Sequence, residues 1–160
     1  MVLSDKEIAF AIKKGDLRIL PNGFRLNPAG VDLRVDRDVS LEPKQHSLVA
    51  SMERVELSSR IVGFLHLRSS LAREGLFASL ALVDPGFRGQ LTVSLYNSGD
   101  SAVNLAKGER FIQLSLLRLG KPAIKEYRGR YQNSSGVVAS RRRKKSHTPK
   151  MESVIHGSSG

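Results

Sequence analysis

The sequence contains no cysteine and no tryptophan, and only 6% of its residues are aromatic. The absence of cysteine excludes disulfides, thiolate zinc sites and a cysteine nucleophile, and it suits a reducing compartment. No segment approaches the ~18 consecutive apolar residues of a transmembrane helix. The first ten residues include Asp5 and Glu7, whereas a signal peptide begins with a basic segment. We therefore expect a soluble, cytoplasmic protein with no membrane partner.

Several catalytic signatures are also missing. The chain has neither the GxSxG nucleophile elbow nor the GxxxxGK[ST] phosphate-binding loop. Its histidines show no metal-ligand spacing; they are His46, His66, His147 and His156. These absences exclude the common serine hydrolases, the P-loop nucleoside triphosphatases and a histidine-based metal site.

The composition favours one folded domain followed by a basic tail. Of the 160 residues 40% are hydrophobic, so the chain can bury a hydrophobic core. The net charge is +11, so we expect a polyanionic partner. Residues 141–160 alone contain six basic residues and one acidic residue. We predict a domain over 1–140 and a disordered tail over 141–160 that binds polyanions weakly and without specificity.

The residue pattern predicts a mostly β fold. Ser4 and Glu7 form a capping-box pattern before a helix over 5–14, and Gly15 ends it. From residue 31 onward apolar residues recur at every second position, which predicts short antiparallel strands. These strands occupy residues 31–35, 46–55, 61–67, 77–83, 91–95 and 112–116. A short internal helix is predicted over 68–75.

Three polar clusters are candidates for chemistry. Residues 68–73 (RSSLAR) can hold a phosphate chain, or they form an ordinary capped surface helix. Residues 83–89 (VDPGFRG) can present Asp84 to a water or a sugar hydroxyl, or Asp84 simply caps its own turn. Residues 128–136 (RGRYQNSSG) can close over a bound anion, or they begin the tail.

Taken in order, five segments resemble the motifs of the trimeric dUTPase and dCTP deaminase superfamily. They are residues 28–34 (PAGVDLR), 68–73 (RSSLAR), 83–90 (VDPGFRGQ), 108–114 (GERFIQL) and 130–141 (RYQNSSGVVASR). The second and fifth have the form typical of dCTP deaminases. The resemblance implies a distorted β-barrel or jelly-roll subunit (the dUTPase-like β-clip) in a homotrimer. Each active site would lie between subunits and bind a nucleoside triphosphate with Mg²⁺, held mainly by the phosphates.

The resemblance also implies roles for individual residues. Asp84 would be catalytic, holding the deoxyribose 3′-hydroxyl and orienting the attacking water. Phe87 would pack on the sugar, next to Val83. The implied phosphate contacts are Arg68, Ser69, Ser70, Arg73 and Gln113, and the residues expected to close over the triphosphate are Arg130, Tyr131 and Ser134.

One departure from the deaminase pattern decides the predicted activity. The dCTP deaminases that this chain resembles carry a glutamate that activates the water attacking cytosine C4, and Ser94 stands at that position. A serine hydroxyl cannot replace a carboxylate as a proton shuttle, a role worth about 10²–10⁴-fold in rate. We therefore predict a dUTP diphosphatase that forms dUMP and pyrophosphate. The alternatives are a dCTP deaminase and a non-catalytic, nucleotide-binding regulatory trimer.

Overall fold

The computed structural model describes residues 1–79 and 81–142. In chain order the elements are α1 (Asp5–Lys14), β1 (Leu17–Leu20), β2 (Arg25–Asn27), β3 (Gly30–Arg34), β4 (Val39–Leu41), β5 (His46–Leu57), β6 (Ile61–Leu67), α2 (Ser69–Arg73), β7 (Leu76–Ala78), β8 (Leu82–Val83), β9 (Arg88–Asn97), β10 (Val103–Leu105) and β11 (Arg110–Arg118). The fold is mostly β with one short helix at the N-terminus and one inside the chain, as predicted. Of these two helices the longer has ten residues, and neither has the length and apolar character of a membrane span.

The strands pair antiparallel in two main sheets and one ribbon. One sheet has the order β1-β5-β9-β7, the other β2-β3-β11-β6-β8, and β10 pairs with β4. Alternate residues of β9 and β11 are buried between the sheets, as the period-two pattern predicts. The sheets of the described chain form a distorted fold and do not close into a complete barrel.

The N-terminal helix begins and ends at the predicted residues. The Ser4 backbone N–H donates to Glu7 Oε2 at 2.8 Å, and the Glu7 N–H donates to Ser4 Oγ at 3.4 Å. The Ser4 backbone N–H and the Ser4 hydroxyl, which donates to Glu7 Oε2 at 3.1 Å, lower the pKa of the Glu7 carboxyl. Gly15 ends the helix with a φ of 77°, a left-handed conformation that favours glycine. Ile8 and Ala11 bury the apolar face of the helix against the sheets.

The single strand predicted over 77–83 is wrong, because the chain changes sheets within this segment. Phe77 in β7 pairs with Tyr96 of β9 in the four-stranded sheet. Val83 in β8 pairs with Gly63 of β6 in the five-stranded sheet. A continuous apolar pattern cannot reveal such a crossing, because both short strands bury residues in the same core.

The predicted basic tail lies outside the described residues from 143 onward. Its disorder and its binding of polyanions stay predictions. Arg141 and Arg142 are the last described residues: the Arg141 N–H donates to the Tyr131 hydroxyl, and the Arg142 N–H donates to the Ser140 hydroxyl.

Candidate active site

Five of the residues predicted for the site line one cavity of about 470 Å³. It lies between β9 and residues 127–141, which we call the C-terminal segment. The five residues are Val83, Asp84, Phe87, Tyr131 and Ser134. Three stretches that are distant in sequence therefore meet here: the start of β5, the stretch from β8 into β9, and the C-terminal segment.

Asp84 is placed by a tight turn at the end of β8. The Phe87 N–H donates to the Asp84 carbonyl at 3.1 Å, and the Gly86 N–H donates to the Leu57 carbonyl at 3.1 Å. Gly86 has a φ of 85°, and a Cβ there would lie 2.5 Å from Glu126 Cβ, so the turn requires glycine. Within the described chain, the Asp84 carboxylate accepts no hydrogen bond from the protein. It does not cap the turn, so it is available to a ligand or water.

Phe87 forms an apolar wall beside Asp84. Its side chain is buried and meets the Tyr127 ring edge to face, with the ring centroids 5.7 Å apart. Tyr127 is itself fixed by its backbone N–H, which donates to the Pro85 carbonyl at 2.8 Å. The wall is therefore rigid, and it holds the C-terminal segment against the Asp84 turn.

The C-terminal segment is attached along β9 by side chains that face the cavity. The Gly136 N–H donates to Gln90 Oε1 at 2.7 Å, and the Val138 N–H donates to Thr92 Oγ1 at 3.0 Å. Gly89 allows this approach, because a Cβ there would lie 2.8 Å from the Ser134 nitrogen. Gln90 and Thr92 are thus parts of the site that sequence reasoning missed, although they alternate correctly along a predicted strand.

The predicted closing residues are engaged with one another. The Ser134 hydroxyl donates to the Tyr131 carbonyl, and Ser134 is buried. The Tyr131 hydroxyl accepts the Arg141 N–H at 3.1 Å, and Arg130 Nη1 donates to the Arg141 carbonyl at 2.6 Å. These contacts close residues 130–141 into a loop over the cavity, and they direct Ser134 toward the loop itself.

The predicted phosphate contacts lie elsewhere. Arg68 directly precedes α2, Ser69 and Ser70 lie in its first turn, and Arg73 ends it. None of these four lines the cavity. Val83 pairs with Gly63, whereas Arg68 follows the far end of β6. At ~3.4 Å per residue, the two groups lie about 17 Å apart along the strand.

A buried carboxylate organises this second region, which we call the arginine cluster (Arg68, Arg73 and Arg110). Asp32 is 3% exposed, and its Oδ2 lies 3.9 Å from Arg68 Nε and 3.7 Å from Arg110 Nη1. Asn27 Nδ2 donates to its other oxygen at 2.7 Å. One carboxylate thus faces two guanidinium groups, which leaves the cluster with an excess of positive charge for an anion.

Gln113 lies next to this cluster and not in the cavity. It pairs with Asp32 of β3 and His66 of β6 in the five-stranded sheet. Its side chain lies over Gly30, where a Cβ would come within 2.7 Å of Gln113 Nε2. The glycine of the first motif therefore makes room for the glutamine of the fourth.

Ser94 lines the cavity, and its hydroxyl has a partner that the sequence did not reveal. Ser94 Oγ lies 2.8 Å from His46 Nε2. The register of β5 on β9 brings them together, since His46 pairs with Tyr96, two residues beyond Ser94. Asp84 is the only carboxylate among the described residues that line this cavity. Residues 1–79 and 81–142 also contain no group of three acidic or histidine side chains arranged to hold a metal ion.

Comparisons with known proteins find one family by sequence and one fold among solved structures. The family model described as dCTP deaminase-like matches residues 36–119. The dCTP deaminase of Thermococcus gammatolerans is 43% identical, over 74% of this chain and 85% of the relative. A dCTP deaminase of Aquifex aeolicus described as dUMP-forming is 33% identical, over 88% of this chain and 94% of the relative.

Solved structures similar to this one include dUTPases. The native EIAV dUTPase has a TM-score of 0.58 and 23% identity, and the match covers 69% of this chain and 95% of that chain. The dUTPase of Staphylococcus bacteriophage 80alpha has a TM-score of 0.59 and 20% identity, covering 72% and 97%. At these identities the likeness concerns the fold, which is the one expected from the five motifs.

Proposed function

This chain belongs to the dCTP deaminase-like family, and within it we propose a nucleoside triphosphate pyrophosphatase that hydrolyses dUTP to dUMP and pyrophosphate. The observation that carries the proposal is the contrast between Asp84 and position 94. Asp84 offers a cavity-facing carboxylate with no protein partner in the described chain. Ser94 offers only a hydroxyl where the resemblance places the deaminase base. The chain keeps the carboxylate for hydrolysis and lacks the one for deamination.

In the proposed reaction, Asp84 accepts a hydrogen bond from the attacking water and orients it toward the α-phosphorus. A bond forms between the water oxygen and this phosphorus, and the bond to the oxygen bridging the α- and β-phosphates breaks. The proton released by the water passes to Asp84 and then to solvent, and pyrophosphate leaves. Phe87 forms the apolar wall against which the deoxyribose packs.

The arginine cluster supplies the charge that the leaving pyrophosphate needs. Arg68 and Arg73 would hold the phosphates together with the hydroxyls of Ser69 and Ser70. Mg²⁺ fits this arrangement only as an ion carried by the substrate phosphates, because Asp32, the buried carboxylate of the cluster, already faces two arginines. When bound, Mg²⁺ neutralises part of the triphosphate charge.

We further propose that the site is completed between copies of the chain in a homotrimer. Val83 of the cavity pairs with Gly63 near the start of β6, whereas Arg68 of the cluster follows the end of this strand. A neighbouring copy that brings its cluster to this cavity would unite Asp84 with the phosphate-binding arginines. Such cyclic, closed assemblies are common among soluble proteins.

The second candidate is dCTP deamination, which the names of the curated relatives favour. It would require a proton shuttle other than a glutamate at 94. Ser94→Glu is the direct test of this loss: deamination that is absent in the wild type and gained in the variant would identify position 94 as the missing base. The third candidate, a non-catalytic nucleotide-binding trimer, would bind nucleotides without turning them over.

Product analysis separates the three candidates. The protein is incubated with dUTP or with dCTP, each with Mg²⁺, and the nucleotides, pyrophosphate and ammonia are quantified. We expect dUMP and pyrophosphate from dUTP and no ammonia from dCTP. Ammonia released from dCTP would contradict the proposal, and so would binding of dUTP without turnover.

A further inference from the structure

The cavity ends at a serine–histidine pair that the proposed hydrolysis does not use. His46 Nε2 and Ser94 Oγ are 2.8 Å apart, within hydrogen-bond distance. His46 begins β5, and Ser94 lies on the neighbouring strand opposite Leu48. Both side chains line the same cavity as Asp84. The pair is therefore part of the surface that a bound nucleotide would meet.

Ser94 belongs to a row of three polar side chains on β9, and it is the one that makes no hydrogen bond to the described C-terminal segment. Gln90, Thr92 and Ser94 are successive residues on one face of β9, and all three line the cavity. The first two bind Gly136 and Val138 of the C-terminal segment. In the described chain, the only side-chain hydrogen bond of Ser94 is with His46. Ser94 thus remains available to a ligand on its cavity side.

The surroundings suit the flat ring of a pyrimidine. Leu48, Ala81 and Leu82 contribute apolar surface near the pair. The described lining contains no carboxylate other than Asp84, which belongs to the turn after β8. A base entering this end would find this apolar surface beside the Ser94 hydroxyl. Next to it lies Ser79, whose backbone N–H donates to the Ser94 carbonyl at 2.9 Å.

His46 determines what that hydroxyl can offer. A serine hydroxyl has one proton to donate and two lone pairs. If His46 Nε2 carries a proton and donates it to Ser94 Oγ, the serine proton is free to turn toward a carbonyl. If His46 Nε2 accepts the serine proton instead, only lone pairs remain, and these suit an amino group. Uracil has a carbonyl at position 4, and cytosine has an amino group there.

We propose that the His46–Ser94 pair selects the pyrimidine base: His46 donates its Nε2 proton to Ser94, and the Ser94 hydroxyl donates to the 4-carbonyl of uracil. Cytosine is then disfavoured, because its amino group meets a donor. His46 is a positioning residue, and Ser94 is the contact residue. This proposal rests on the proposed function only in assuming that the cavity takes a pyrimidine nucleotide.

The test compares equilibrium binding of two substrate analogues that the protein cannot cleave at the α-phosphorus. They are the α,β-imido triphosphates of deoxyuridine and deoxycytidine, measured with Mg²⁺ by calorimetry on the full chain. We expect the wild type to bind the uracil analogue at least about ten-fold more tightly, as for one mismatched polar contact. Ser94→Ala and His46→Phe should reduce this ratio to about two-fold or less, because the oriented donor is lost.

Two further variants separate base selection from a general effect on structure. His46→Gln keeps an N–H donor at similar reach and should restore most of the ratio. Tyr96→Phe changes the residue paired with His46 in the sheet, which does not line the cavity, and should leave the ratio unchanged. Thermal unfolding of each variant verifies that it is folded.

Several outcomes would overturn the proposal. An unchanged ratio in folded His46→Phe and Ser94→Ala would show that the pair does not read the base. Tighter binding of the cytosine analogue, or ammonia release from dCTP that depends on His46, would assign the pair to deamination. Because the analogues are not cleaved, altered selectivity without dUTP turnover would refute the proposed hydrolysis and leave the base-selecting pair intact.

Discussion

The cavity and the arginine cluster differ in how far one chain completes them. The cavity is enclosed by its own C-terminal segment, has a rigid aromatic wall and presents Asp84 without a protein partner among the described residues. The arginine cluster is open, and the guanidinium groups of Arg68 and Arg110 face one buried carboxylate, Asp32. One region is thus organised for a nucleoside and a water, and the other for anions. Their separation along β6 is the physical reason to expect a site shared between copies.

The largest expected effect is at the cavity. Asp84→Asn keeps the shape of the side chain and removes its charge, so the attacking water loses its acceptor. We expect kcat for dUTP to fall by about 10³-fold. Affinity for the α,β-imido uracil analogue should stay within about three-fold, because the group acts mainly in the transition state. Steady-state kinetics and calorimetry check the two parts.

Asp100→Asn is the matched control for this variant. Asp100 has a fully exposed side chain and makes only a 3.9 Å ion pair with Lys44. This variant should hydrolyse dUTP like the wild type. If Asp84→Asn retains wild-type turnover as well, Asp84 is a turn residue and the proposed chemistry is wrong.

The next effect should separate the arginine cluster from the cavity. The double variant Arg68→Ala, Arg73→Ala removes two guanidinium groups whose charge-assisted hydrogen bonds are worth about 1.5–3 kcal/mol each. We expect kcat/KM for dUTP to fall by at least about 10²-fold, while affinity for dUMP changes little. Arg60→Ala, an exposed arginine in the turn before β6, is the control. If affinity for dUMP falls as much as kcat/KM for dUTP, the arginine cluster does not act on the β- and γ-phosphates alone, and the proposed division of roles between the two regions is wrong.

A smaller effect is expected when the chain is shortened after Arg141 than when it is shortened after Glu126. The hydrogen bonds that attach the C-terminal segment to β9 are made by residues 132–138. Ending the chain after Arg141 should therefore leave dUTP hydrolysis within about three-fold of the full chain. Ending it after Glu126 removes the cover of the cavity and should abolish turnover. Loss of activity in the chain that ends after Arg141 would place part of the site in the tail.

The smallest effect expected is electrostatic. Residues 142–150 contain five basic residues, and removing them should lower retention on heparin at low salt. Because such binding depends on released counterions, the difference should shrink steeply as salt rises. Equal retention of the two forms would show that the tail does not bind polyanions.

The sequence predicted local structure well where neighbouring residues decide it. The Ser4–Glu7 capping box and Gly15 defined α1 to the residue, and period-two patterns located β6, β9 and β11. It failed over 77–83, because which sheet a short strand joins depends on long-range pairing. The mostly β architecture could thus be predicted, but the crossing could not.

The candidate site divides in the same way. Asp84 was identifiable from its turn composition and the motif around it. The separation of Arg68 from Asp84 requires the order of β6 and β8, and the His46–Ser94 contact requires the register of β5 on β9. No local sequence pattern could predict either relationship. The residues concerned are about 16 and about 48 positions apart in sequence and are related only through the pairing of strands in a sheet.

The central claim is that one active site takes Asp84 from one copy and the arginine cluster from a neighbour. Differently tagged Asp84→Asn chains and Arg68→Ala, Arg73→Ala chains are co-expressed, and assemblies carrying both tags are purified. In a cyclic trimer that contains both variants, about one site in three combines an intact Asp84 with an intact cluster. We predict that dUTP hydrolysis, negligible in each variant alone, recovers toward that fraction. Mixed assemblies as inactive as the separate variants, beside an active wild type, would contradict the claim.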